Sequence, residues 1–203
     1  MTTISIIGSG NMAAAIGTRA AQHGHTVELL SRNAAKAQAL AAQIGHGATV
    51  GTFGAPPAGD IVILAVLYSG AVDVIAKYGD ALAGKILVDI SNPFNSDASG
   101  LVTTSSAAQE IAAAAPESAH VVKGLNTIFG QVLAKGTPLD AFIAGDSVAA
   151  KSSVAAFLES LELRTLDAGG LQAASILESA GLLLVGLASN GGGFDLALGA
   201  EVH

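Results

Sequence analysis

An apolar run at residues 4–7 stops at Gly8-Ser9-Gly10 and gives way at once to an Ala-rich stretch over 11–24. A buried strand that ends in paired glycines and feeds a helix leaves few folds open. Gly8 permits the tight turn, Gly10 lets a pyrophosphate approach the backbone, and Ala13 is small enough for helix to pack on strand. The free N–H groups at the start of the helix then face an anion. The pattern Gly8-x-Gly10-x-x-Ala13 is weak alone; its place between a predicted strand and a predicted helix makes it informative.

The rest of the chain continues the alternation. Strands are expected at 26–30, 48–53, 60–67, 85–90, 120–125, 141–144 and 163–166, and helices at 34–44, 71–82, 105–115, 148–161 and 171–189. The segment DIVILAVL at 60–67 is almost wholly apolar, as a strand covered on both faces must be. Strand–helix alternation of this kind predicts an α/β fold: a Rossmann-type, doubly wound, mostly parallel sheet. The expected division is a nucleotide-binding unit over 1–170 and a short helical C-terminal extension over 171–203. With 203 residues the chain can bury one sizeable core.

Composition excludes several function classes. Nine basic residues stand against sixteen acidic ones, with no basic run, so nucleic acid is not an expected partner. The chain has no cysteine, which removes disulfides, thiolate metal ligands and Cys nucleophiles. The five histidines, His23, His25, His46, His120 and His203, show no metal-ligand spacing, and no metal is expected. His23 and His25 flank a turn and are expected to be exposed. No signal peptide is expected, and the longest apolar stretch, 180–188, is shorter than a bilayer span requires. The expectation is a cytoplasmic protein with no membrane partner. The apolar C-terminal helix is either core or the surface of a homodimer.

The end of the second strand indicates which dinucleotide fits. A site for NAD places Asp or Glu there, to accept from the ribose 2′-hydroxyl. This chain reads Leu30-Ser31-Arg32-Asn33, with Lys36 one turn on. No carboxylate opposes a 2′-phosphate, and Arg32, Ser31 and Lys36 offer a fork, a hydroxyl and a point charge to hold it. The expected cofactor is therefore NADP(H). Three further strand ends, Ala65-Val66-Leu67-Tyr68-Ser69, Ser91-Asn92-Pro93-Phe94 and Lys123-Gly124-Leu125-Asn126-Thr127, lie on the edge where ligands of open α/β sheets bind. Lys123 and Asn126 are read either as strand-end residues satisfied by backbone or as substrate contacts. Asp89, inside an apolar strand, is read as a hydrogen-bonded structural carboxylate.

With these segments in view, the chain resembles the NADPH:coenzyme F420 oxidoreductase family. The resemblance rests on IIGSGNM at 6–12, SRN at 31–33 with Lys36, VILAV at 62–66, KILVDISNPF at 85–94, AGD at 144–146, LDAG at 166–169 and NGGGFDLALG at 190–199. KILVDISNP and VVKGLNTI at 121–128 are also similar to the NADPH-binding domain of the six-transmembrane ferric reductases. GSGNMAAAI is similar to the opening of pyrroline-5-carboxylate reductases, which carry a longer helical C-terminal domain.

The resemblance implies an NADP-dependent oxidoreductase that moves a hydride between NADP(H) and a small-molecule redox substrate, coenzyme F420 or a flavin (FMN or FAD). It implies that Ser9, Ser31, Arg32 and Lys36 hold the adenosine phosphate end. Asn11, Met12, Ala65, Val66, Asn92 and Pro93 would line the dinucleotide, beside Gly8 and Gly10, with Asn126 near the nicotinamide. Residues 190–194 would help form the pocket for the second ring. Direct hydride transfer needs no side-chain acid or base, so no catalytic residue is expected. Two other readings stay open. A reductase of a small imine or carbonyl would draw a proton from Lys123, Tyr68 or His120, and a reductase of a ferric chelate would need none. A non-catalytic NADP(H)-sensing module needs none.

Overall fold

The computed structural model describes residues 1–201. Strand β1 (Thr3–Ile7) lies inside the sheet between β2 (Thr26–Leu30) and β4 (Ile61–Leu64), and β3 (Thr49–Val50) adds a two-residue edge beyond β2. On the other side follow β5 (Ile86–Asp89), β6 (His120–Gly124), β7 (Leu139–Gly145) and β8 (Leu163–Asp167), giving the order β3-β2-β1-β4-β5-β6-β7-β8. The helices are α1 (Asn11–Gln22), α2 (Ala34–Ile44), α3 (Ala71–Tyr78), α4 (Ala107–Ala114), α5 (Gly130–Leu133), α6 (Val148–Ser160) and α7 (Ala174–Leu187). This is the expected Rossmann-type α/β architecture. The direction of winding reverses between β1 and β4, and ligands of such sheets bind at that reversal.

Each apolar strand feeds two cores because side chains alternate across it. Ile4, Ile6, Ile61 and Ile63 point into one layer with Ile16, Leu40, Val154 and Phe157 from α1, α2 and α6. Ile7, Val62, Leu64 and Leu87 point into the other, with Ile75 and Ile111 from α3 and α4. That is why residues 61–64 are buried without exception.

Two departures from the expected elements have physical causes. The strand expected over 60–67 ends at Leu64, because residues 65–67 leave the sheet to form the rim of the site. The sheet also carries one antiparallel pair, β6 with β7, before β7 and β8 pair in parallel. Helix α5 has four residues and so advances about 6 Å. A five-residue strand runs about 17 Å. The connection over 125–138 holds no longer helix to pack on the sheet face as the other crossovers do, and β7 returns antiparallel.

Two other expectations are corrected. His25 is buried, 7% exposed, with Nδ1 accepting from Thr2 N and Nε2 at 2.8 Å from Ser160 Oγ. His23, His46 and His120 are exposed, and His203 lies outside the described residues. The helical turns over Leu171–Gly192 also join into one run of 22 residues, apolar and long enough to cross a membrane by length and composition. The shorter stretch at 180–188 understated it. Glu178 sits within that run, buried and ion-paired to the sheet. Ile176, Leu183 and Leu187 on the opposite face are exposed.

Candidate dinucleotide site

Gly8 and Gly10 have different duties. Gly8 has φ +137°, and a Cβ there would lie 2.1 Å from the carbonyl oxygen of Ala65. Its N–H donates to Leu30 O at 2.8 Å, so the turn is welded to both neighbouring strands. Gly10 has ordinary extended geometry, and nothing lies within 4 Å of a Cβ placed on it. Glycine at position 10 therefore keeps space clear above the first turn of α1. Gly10 also starts α1 without a side-chain hydrogen bond, whereas Asn33, Ser106 and Ser147 cap α2, α4 and α6. The first-turn amides of α1 are left facing that open space, the arrangement that suits an anion.

Two clefts flank the turn. The first, of about 240 Å³, is bounded by Gly8, Ser9, Ser31, Arg32, Phe53 and the 65–67 rim. Ser9 Oγ and Ser31 Oγ stand 3.1 Å apart, and Ser31 Oγ also accepts from Asn33 N. Arg32 is exposed and enters none of the ion pairs among the described residues. The strand does carry an acid, Glu28, but its carboxylate accepts from Ser5 Oγ at 2.6 Å and Ala58 N at 2.9 Å. That carboxylate is committed to tying β1, β2 and the segment before β4 together, and not to a ribose.

The second cleft, of about 440 Å³, shares the 65–67 rim. Its floor is Gly10, Asn11 and Met12, and its far wall is Ile90, Ser91, Asn92 and Phe94. Tyr68 closes one side and donates to Glu110 Oε2 at 2.8 Å, while Thr103 Oγ1 donates to Glu110 Oε1 at 2.7 Å. The hydrogen bond to Glu110, with burial, pushes the Tyr68 phenol above its ordinary value. Lys36, Pro93 and Asn126 are not walls of either cleft. Lys36 is exposed in the first turn of α2, its N–H donating to Asn33 Oδ1. Pro93 is buried. Asn126 is 6% exposed and pairs with Asn92: Asn126 Nδ2 donates to Asn92 Oδ1, and Asn92 Nδ2 donates to Asn126 O, both at 2.9 Å. Asn126 Oδ1 is buried with no partner. A third cleft, of about 340 Å³, lies along α1 toward α5 and does not reach the glycine turn beyond Asn11.

Behind the far wall lies a buried ionic group. Lys123 is 0% exposed. Its Nζ donates to Asp89 Oδ2 at 2.7 Å, Glu178 Oε1 at 2.8 Å and Ser91 O at 2.5 Å. Burial pushes the Glu178 carboxyl above its ordinary value, against the pull of the Lys123 charge. Asp89 is thus the structural carboxylate that its apolar strand suggested. Glu178 was not foreseen. The available signal was a lone acid in an apolar helix and a lone base in an apolar strand, two charges that only each other could accommodate.

The fold defines a class, the Rossmann-type α/β domains. Within it, residues 3–93 match the model of the family described as NADP oxidoreductase, coenzyme F420-dependent. Metalloreductase STEAP3 of Rattus norvegicus is 30% identical over 186 residues, 90% of this chain. The chain spans only 37% of that relative's length. A solved structure described as a candidate F420-dependent NADP-reductase, from Arthrobacter sp. FB24, superposes with a TM-score of 0.83 at 25% identity. That match covers 94% of this chain and 95% of the other. A reductive aminase from Aspergillus terreus, solved with NADPH and ethyl levulinate, gives a TM-score of 0.67 at 25% identity over 92% of this chain and 61% of its own.

Proposed function

We propose that this chain binds NADP(H) across the glycine turn and exchanges a hydride with a flat redox ring, coenzyme F420 or a flavin, in the larger cleft. The observation that carries the nucleotide half is the pairing of a carboxylate-free adenosine cleft with an unpaired Arg32. Ser9, Ser31 and Arg32 would hold the 2′-phosphate, with Lys36 adding charge from α2. The open space at Gly10 and the first amides of α1 fit the pyrophosphate. Asn126, buried and paired with the wall residue Asn92, would act on the nicotinamide end through that residue. NADPH supplies the hydride from its nicotinamide ring when bound.

The acceptor half is supported by what the larger cleft lacks. Of the three candidate proton donors, Lys123 is sealed in its ionic group and His120 is exposed at the start of β6, away from the carboxyl-end edge. Tyr68 alone lines the cleft, and its proton is engaged by Glu110. The walls Met12, Tyr68, Ile90 and Phe94 suit the stacking of a flat ring and the exclusion of water. The test follows NADPH absorbance with F420, FMN, FAD, a ferric chelate and a cyclic imine in turn. Oxidation with F420 or a flavin is expected. Turnover of the imine alone, lost in Tyr68→Phe, would install the imine reading in its place. Tight NADPH binding with no acceptor at all would leave a sensing module.

A further inference from the structure

The buried ionic group sits directly behind the wall of the larger cleft, and every polar atom of one wall residue is bound to it. Asp89 Oδ1 accepts from Ser91 N at 2.9 Å and from Ser91 Oγ at 2.7 Å, and Ser91 O accepts from Lys123 Nζ. An ammonium has three donors, and Asp89 Oδ2, Glu178 Oε1 and Ser91 O use them all. The next wall residue, Asn92, is held from the other side by Asn126, whose Nδ2 also donates to Leu177 O at 2.8 Å.

One turn of α7 backs these groups. Leu177 gives its carbonyl to Asn126, Glu178 gives its carboxylate to Lys123, and Gly181 lets the helix come close to Asn92. A Cβ at position 181 would lie 2.7 Å from Asn92 Oδ1. Apolar residues would join a helix to a sheet at least as well as a buried ionic group does. What they would not do is hold the Ser91 carbonyl in place. We propose that Lys123 and the 177–181 turn of α7 are a positioning device that sets the Ser91–Asn92 wall against the nicotinamide end of the cofactor. The role of that end rests on the function proposed above; the clamp itself does not.

Two variants test it. Asp89→Asn/Lys123→Met/Glu178→Gln removes the charges together, so no lone charge stays buried. Gly181→Ala pushes on Asn92, while its gain in helix propensity offsets part of the cost in stability. Both are expected to bind NADPH about tenfold more weakly. Both should bind 2′,5′-ADP, which reaches only the adenosine end, within about twofold of the parent. In the free protein, amide exchange over 90–95 should accelerate in both, while exchange over 61–64 stays unchanged. Parental NADPH affinity with unchanged exchange at 90–95 would overturn the proposal. So would equal weakening of NADPH and 2′,5′-ADP. If the parent protein bound neither nucleotide, the proposed function would fall, and the exchange rates would still decide whether the clamp exists.

Discussion

At the scale of single residues, the two glycines of the first turn look alike in sequence and differ in structure. Gly8 is held by its positive φ and by the 2.1 Å approach of Ala65 O, so Gly8→Ala should cost about 3 kcal/mol or more. Gly10 is restrained by neither, and Gly10→Val should cost about 1 kcal/mol or less, the difference between good and poor helix starts. Its effect should fall on binding instead, with NADPH affinity reduced at least about a hundredfold. Urea unfolding and NADPH titration of the two variants separate these outcomes; a Gly10→Val protein that bound NADPH normally would remove the pyrophosphate assignment. The turn and the Ser31-Arg32 segment were legible because their geometry is local: a few adjacent residues set the open amides at Gly10 and the exposed guanidinium after β2. The fate of Glu28 was not legible, since its partners Ser5 and Ala58 arrive from β1 and from the segment before β4.

At the scale of elements, helix ends far apart in sequence share one buried cation. Arg19 in α1 donates to Leu161 O at the end of α6, to Leu133 O at the end of α5 and to Thr137 O. Burial pulls its guanidinium below the ordinary value, with Glu162 opposing. A cation set against the carboxyl ends of two helices satisfies their last carbonyls and meets their dipoles. Arg19→Met should lower stability by about 2–4 kcal/mol, read as a reduced urea midpoint at unchanged slope. Element positions were largely readable from apolar period and turn residues. The ends were not: α3 tightens into a short 3₁₀ turn after Tyr78, and four-residue α5 has no periodicity to announce it.

At the scale of the whole molecule, His25 joins the N-terminal segment to the end of α6. Thr2 N donates to its Nδ1, so the ring is neutral with its proton on Nε2, toward Ser160, and it packs edge-on to Phe157. Burial lowers the His25 pKa below the ordinary 6.5. A base whose folded value is depressed takes up a proton on unfolding in acid. Its contribution is therefore complete above about pH 6.5 and is lost as pH falls through the folded value. The thermal midpoint should decline as pH falls from about 6.5 to about 5, and His25→Gln should flatten that part of the profile. An unchanged slope in the variant would assign the decline to other groups. The same long reach explains why an exposed His25 was the natural sequence reading: Ser160 and Phe157 lie more than a hundred residues away.

The amino-acid order alone determined the alternation of strand and helix, the glycine turn after β1 and the choice of cation over carboxylate after β2. Each of these is set by contacts within a few residues, where spacing and side-chain type are the geometry. Only the tertiary structure decided that β7 runs backward, that Lys123 is a sealed ammonium and that α7 backs the larger cleft. Those depend on which distant groups meet, and a buried charge takes its meaning from partners that no local pattern names.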